Sequence, residues 1–363
     1  MRSTLFHVPV TVSLGDWTVP LFGVGLLFAA WCVGGIGLLV WHAVRHGGRS
    51  AAAALGLPLA VTGGMIVWGL PALDDGAGVP VRGYGVMLLA AAAAGTWLSI
   101  VRGRRAGFDA DTILALGMEV FLWGLVGARL LYVIEYREQF FPPGRGWTEG
   151  LRAVLNVAAG GLVVFGALPT AGLAAWWFAR RRGLSILRLA DCIAPGLLVG
   201  LALGRVGCFL NGCCYGGPCD LPWAVRFPPE SPPWFDQMAR GMLPPASGQA
   251  DAPWTLPVHP AQLYAALDAW FLAILAVLFT PLARRDGAVF ALVLTIHPVA
   301  RMLLEAIRVD EPPALGTPLS ISQLISLGLL AAAGLLWWWV LRQPPRPPEA
   351  TQAPSREGFR SRL

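Results

Sequence analysis

The chain has 363 residues, 56% of them hydrophobic and only 13% charged, with a mean hydropathy of +0.61. Its formal charge of +6 is carried wholly by arginine, because the chain contains no lysine. So apolar a chain is not a soluble globular enzyme, and an arginine surplus within it reports membrane orientation and anionic lipid rather than nucleic acid.

Met1–Trp17 carries a single Arg2 and leads into an apolar run followed by more of the same, so it does not read as a cleaved leader. Runs long enough to cross about 30 Å of hydrocarbon predict nine transmembrane helices, at about 18–42, 51–73, 84–101, 112–134, 158–179, 187–205, 261–281, 288–306 and 319–341. The expected fold is an all-α polytopic membrane protein. It divides into a two-helix extension over 1–80, a core over 81–342 with a long loop at 207–258, and a Pro-, Arg- and Ser-rich disordered tail over 343–363.

Arginines cluster in alternate connections: Arg45 and Arg49; Arg102, Arg104 and Arg105; Arg180, Arg181 and Arg182; Arg284 and Arg285; Arg342 and Arg346. Positive loops face the cytoplasm, which puts the N-terminus outside, the C-terminus inside and the 207–258 loop at the outer face. That loop is long for a passive connector, and its Trp234 and Trp254 suit either a functional role or the headgroup layer.

The stretch Gly204–Pro228, GRVGCFLNGCCYGGPCDLPWAVRFP, combines an arginine at a helix end with dense glycine. Glycine lets backbone approach a ligand closely, and irregular backbone at membrane depth is tolerated where it lines a cavity. Arg205 reads as an anion receptor or as an arginine snorkelling to the interface. Other ionisable groups fall at helical spacing: Arg129, Tyr132 and Tyr136 on one face, and Arg301, Glu305 and Arg308 on another. Arg301–Glu305 is also the spacing of a structural ion pair. Arginines on outward-facing ends exceed the nearby carboxylates, and the planar guanidinium matches phosphate oxygens. Glu119 lies mid-span without a partner close in sequence.

Cys208, Cys213, Cys214 and Cys219 admit three readings. They are small packing residues or disulfide partners, a zinc site of unfavourable spacing, or a reactive nucleophile. The first reading is preferred and no metal is assigned. Cys32 and Cys192 read as buried small hydrophobes.

Taken together, these motifs resemble the bacterial prolipoprotein diacylglyceryl transferases. Gly204-Arg205-Val206-Gly207, Phe209-Leu210-Asn211-Gly212, Gly216 and Asp220-Leu221-Pro222-Trp223 look like the family signature, and His259-Pro260-Ala261-Gln262-Leu263-Tyr264 like its H-P-x-Q-L-Y element. Val81-Arg82-Gly83-Tyr84-Gly85, Gly127-Ala128-Arg129-Leu130-Leu131-Tyr132 and Arg301-x3-Glu305-x2-Arg308 follow in the family order. The resemblance implies an enzyme that moves diacylglycerol from phosphatidylglycerol to the thiol of a lipobox cysteine in a preprolipoprotein. Glycerol 1-phosphate is released, in the bacterial inner membrane and with no cofactor. It assigns Arg205 and Arg301 to catalysis at the phosphate. Tyr84, Arg129, Tyr132, Asn211, Gly216, His259, Gln262, Tyr264, Glu305 and Arg308 fall to substrate binding or its support. The expected partners are phosphatidylglycerol, lipobox signal peptides and membrane lipids, without nucleic acid.

Three departures stand out. Cys208 and Cys213 replace residues that are often Asn and Glu in the family, and Phe165 falls where a histidine is common. If that histidine is the obligatory base, this chain is an inactive relative. The two helices before Val81 lie outside the family's usual seven, and Phe22-Gly23-Val24-Gly25 faintly echoes Gly83-Tyr84-Gly85-Val86. A transporter for anionic headgroups is the non-enzymatic alternative, and it would need polar residues along a whole path.

Overall fold

The computed structural model describes residues 4–14, 17–142, 144, 146–156, 160–244, 252–309 and 316–345. The expected tail beyond Pro345 and the middle of the outer loop lie outside the described residues. In chain order the elements are β1 (Thr4–Val8), β2 (Thr11–Leu14), β3 (Trp17–Pro20), α1 (Leu26–His46), α2 (Gly48–Gly64), β4 (Val79–Arg82), α3 (Gly83–Arg105), α4 (Ala110–Glu135), α5 (Arg137–Phe140), α6 (Trp147–Leu155), α7 (Val164–Arg181), α8 (Ile186–Asn211), α9 (Pro232–Ala239), α10 (Ala261–Phe279), α11 (Ala288–Glu305) and α12 (Ile321–Arg342).

The expected all-α class is corrected, and the expected count of spans is met in part. The protein is mostly helical but not all-α: β1 pairs antiparallel with β4, with Phe6 opposite Val81, and β2 pairs with β3, with Val12 opposite Val19. The first span therefore starts at Leu26 rather than near residue 18, because Trp17–Pro20 is spent in the hairpin. Of the nine expected spans, the second and the fifth are not matched by a single helix of that length and apolarity. Among the described residues seven helices are long and apolar enough to cross a membrane: α1, α3, α4, α8, α10, α11 and α12. The second expected span carries Pro58 and passes after Gly64 into a wider π turn at Met65–Gly69 and a 3-10 turn at Pro71–Leu73. The fifth starts at Val164, contains Pro169 and ends in Arg180 and Arg181, so its 18 residues hold too little apolar length.

α8 is the axis. Half of its span is buried inside the protein, against 6% for α1. The reason lies in its small residues: where α8 crosses α3, a Cβ on Gly95 would stand 2.7 Å from the Gly196 carbonyl oxygen, so only glycine permits that approach. On one side of α8, Leu198 and Val199 pack with Leu272 and Ala276 of α10, Val289 of α11 and Val340 of α12. On another, Leu189 packs with Ile113 and Leu116 of α4 and Phe178 of α7. Large exposed side chains such as Trp97, Phe121, Leu267 and Leu335 face outward, as a lipid-facing surface requires.

The two ends of the bundle differ in chemistry. At the start of α8, the buried Asp191 carboxylate accepts from the Gly287 and Phe290 backbone N–H groups at 2.8 and 2.9 Å, a charge placed where the α11 dipole favours it. Arg102 donates to Thr280 Oγ1 at 2.6 Å and Arg285 to the Gln343 carbonyl at 2.9 Å on the same side. Glu119, unassigned from sequence, pairs with Arg181 at 2.5 Å. The arginine-rich connections thus gather at one end, and the end of α8 lies at the other.

Candidate active site

The far end of α8 is covered by a folded cap built from residues 212–244 and 252–260. Tyr215, Phe227 and Val258 form its core, with Phe209 and Val225 packed against it. Phe227 N–H donates to Thr255 Oγ1 at 2.8 Å, Trp234 Nε1 to the Pro253 carbonyl at 2.8 Å and Leu256 N–H to Gln237 Oε1 at 2.8 Å. Such pairing of backbone groups is what lets irregular chain persist at a membrane boundary.

The glycine signature has a specific cause at Gly216. Its N–H donates to the His259 carbonyl at 3.0 Å, and Gly217 N–H donates to the Ile307 carbonyl at 2.8 Å. A Cβ on Gly216 would lie 2.6 Å from His259 Cβ and 3.0 Å from the Ile307 carbonyl oxygen. The strand-like segment after α8 is therefore threaded between the entry to α10 and the exit of α11. Gln262, 1% exposed, adds a second tie by donating to the Cys213 carbonyl at 2.7 Å. Tyr264 accepts from Trp223 Nε1 at 2.7 Å and lies 3.5 Å from His259 Nδ1. His259, Gln262 and Tyr264 thus hold the signature turn against α10.

Threading brings the cations together. Glu305, 6% exposed, is flanked by Arg301 at 2.6 Å and Arg308 at 3.6 Å. Arg301 also donates to Ser322 Oγ at 2.9 Å. The ion-pair reading of Arg301–Glu305 is what the structure shows, and Ser322 is a partner that no sequence spacing marked. Arg205 differs. It is half-buried in the last turns of α8, and among the described residues its guanidinium makes no hydrogen bond or ion pair. Its charge acts on the Tyr84 phenol at the start of α3 and on the Cys214 thiol. Arg308 also acts on Cys214 by its charge. Gly207 is what admits Tyr84: a Cβ there would stand 3.2 Å from Tyr84 Cδ2.

Asn211 closes α8, and Gly212 follows with φ +78 in the left-handed region that glycine adopts readily. Asn211 lines a cavity of about 590 Å³ between β1 and the cap, with Leu5, His7, Phe227, Glu230 and Ser231 on its wall. Nothing in the short alternating sequence of the N-terminal strand says which edge it joins.

Arg129 and Tyr132 form a separate cluster. All five guanidinium N–H donors go to backbone carbonyls: Nε to Val154 at 2.9 Å, Nη1 to Gly160 and Gly161 at 2.6 and 2.8 Å, Nη2 to Ala153 and Asn156 at 2.8 and 3.0 Å. Tyr132 stacks near Tyr136 at 4.7 Å and under the Arg129 guanidinium at 5.5 Å. In this arrangement Arg129 has no N–H left for a phosphate.

The cysteines are not joined in disulfides. The sulfurs of Cys208, Cys213 and Cys214 all lie within 4.8 Å of one another, and Cys219 is not among them. Hydrogen bonds from Cys208 and Cys213, helped by Arg308 and Arg205, hold the Cys214 thiol below the usual thiol range.

A bundle of apolar helices, with a folded cap over the end of α8 beside Arg205 and the Arg301–Glu305–Arg308 group, defines a multi-pass membrane protein. Residues 73–339 match the family described as prolipoprotein diacylglyceryl transferase, and the chain belongs to that family. Among its relatives, the phosphatidylglycerol–prolipoprotein diacylglyceryl transferase of Rhodopirellula baltica is 39% identical over 67% of this chain, which spans 50% of that relative's length. The same-named protein of Gloeobacter violaceus is 33% identical over 71% of this chain and 88% of its own length. That of Clostridium tetani is 27% identical over 71% and 92% respectively.

Proposed function

We infer that this chain is a phosphatidylglycerol–prolipoprotein diacylglyceryl transferase, the enzyme of the first step of lipoprotein maturation, and that its site is the recess bounded by Arg205, Tyr84, Asn211 and Arg308. The observation that carries the siting is Arg205: a half-buried guanidinium that makes no hydrogen bond or ion pair among the described residues, at the boundary where a lipid phosphate lies. Burying a cation without a partner is costly, so a bound anion is its natural complement.

The acceptor thiol belongs to the lipobox cysteine of the preprolipoprotein. Its sulfur attacks the glyceryl carbon that bears the phosphate; a carbon–sulfur bond forms as the carbon–oxygen bond breaks. Glycerol 1-phosphate departs, and the thiol proton leaves to phosphate or water. A thiol is a few per cent ionised near neutrality and intrinsically nucleophilic, so the harder task is stabilising charge on the departing phosphate. Arg205 meets that charge directly, and Arg301 supports it through the Arg301–Glu305–Arg308 group, in which Glu305 fixes the two arginines. His259, Gln262, Tyr264 and Gly216 hold the signature turn in place, while Arg129 ties down the carbonyls of Ala153, Val154, Asn156, Gly160 and Gly161. Phe165 cannot take a proton, so the proton passes to another group or to interfacial water.

The arginine-rich end of the bundle sets the cytoplasmic side. The cap and recess then face outward from the bacterial inner membrane, with the N-terminus outside. Donor lipid and tethered peptide both reach such a site laterally. The test is incubation of purified protein with phosphatidylglycerol vesicles and a lipobox peptide. Glycerol phosphate is released only when both are present, and a peptide with serine for the lipobox cysteine gives none. Peptide-independent release, or none with the parent peptide, overturns the reading.

A further inference from the structure

The cysteine signature is not absorbed by the transfer reaction, whose thiol comes from the peptide. We propose that Cys208, Cys213 and Cys214 form a three-thiolate site for a soft d10 cation of the Zn²⁺ and Cd²⁺ class at the end of α8.

The sulfurs already converge, all lying within 4.8 Å of one another. Three thiolates bound to one zinc at about 2.3 Å stand roughly 3.8 Å apart in tetrahedral geometry, so side-chain rotation alone closes the gap. Here the helix supplies the geometry. Cys208 sits in its last turn, and the chain doubles back through Gly212, whose N–H bonds to the Phe209 carbonyl at 3.3 Å. Cys213 N–H then returns to the Cys208 carbonyl at 3.1 Å. Cys214 has φ 59, a left-handed conformation that a non-glycine residue adopts at a cost. That conformation is what turns two adjacent thiols toward the same point.

The turn is also held from outside, since Gln262 fixes the Cys213 carbonyl at 2.7 Å. The three-thiolate complex of a divalent ion is itself an anion, and Arg205 and Arg308 are the positive groups beside it. Binding involves no redox change: one divalent ion replaces three thiol protons, which are released, and the fourth coordination position stays open to water. All three cysteines are half-buried rather than sealed, so an ion has access.

The experiment titrates the purified, metal-stripped full chain with Cd²⁺ and follows thiolate-to-metal absorption; it does not depend on transfer activity. One ion per chain binds. Cys219→Ser binds as the parent does, and Cys214→Ser binds about tenfold or more weakly. A second measurement on the parent protects against misfolding of the variant: Cd²⁺ slows alkylation of Cys208, Cys213 and Cys214 by N-ethylmaleimide while Cys219 reacts unchanged, read by peptide mapping. No saturable binding, loss on Cys219→Ser, or equal alkylation of the three thiols with and without Cd²⁺ overturns the proposal.

Discussion

The side-chain amide of Gln262, almost completely buried at the start of α10, donates to the backbone carbonyl of Cys213 at 2.7 Å across 49 residues of sequence. This single bond fixes the turn that follows Arg205 to a different helix, so the recess is assembled by tertiary contacts and not by the signature stretch alone. Replacing Gln262 by leucine keeps the volume and removes the donor from a buried carbonyl, a change that costs about 1–3 kcal/mol. Thermal denaturation in detergent should show that loss, with transfer activity falling alongside it. An unchanged melting temperature would remove Gln262 from the assembly of the site.

Gly216→Ala should abolish activity while Gly85→Ala leaves it intact. A Cβ at Gly216 meets His259 Cβ at 2.6 Å, with backbone on the other side at 3.0 Å, so neither neighbour gives way cheaply. Gly85 has nothing within 4 Å. Comparable activity of the two variants at equal expression would contradict the threading of this segment.

Arg129→Lys tests positioning against substrate contact. Lysine keeps the charge but cannot serve five carbonyls in a planar fork. The expected outcome is a lower melting temperature with the KM for phosphatidylglycerol unchanged in the folded fraction. Unaltered stability with a raised KM would mean that Arg129 touches lipid.

Much of the site was legible in the sequence, and the missing parts share a cause. Apolar run length and arginine placement identify a multi-pass bundle with chemically distinct ends, and helical spacing puts Arg301 beside Glu305. Run length does not register backbone interruptions, so the second expected span hid a π turn after Gly64 and the first absorbed strand β3. Spacing likewise says which face a residue takes but not what meets it. Arg129 and Arg205 look alike as intramembrane arginines, yet one is enclosed by carbonyls of a distant segment and the other is left facing the recess. The three-thiol cluster depends on the left-handed turn at Cys214, which residue type did not announce.

Orientation is tested at the two ends. A cysteine placed at Ala239, exposed at the end of α9, should react with an impermeant thiol reagent on intact cells, and one at Arg104, exposed near the end of α3, only after permeabilisation. Peptide mapping distinguishes these positions from the native cysteines. The reverse pattern would place the recess on the cytoplasmic side.

The central claim is that Arg205 grips the lipid phosphate as it departs, and Arg205→Lys tests it most directly. Lysine retains charge and snorkels equally well, but lacks the bidentate fork. In the glycerol-phosphate release assay, with folded and inserted protein, the lysine variant should be at least about tenfold slower, a barrier increase of roughly 1.4 kcal/mol. A rate within about twofold of the parent would show an interface arginine without a catalytic role.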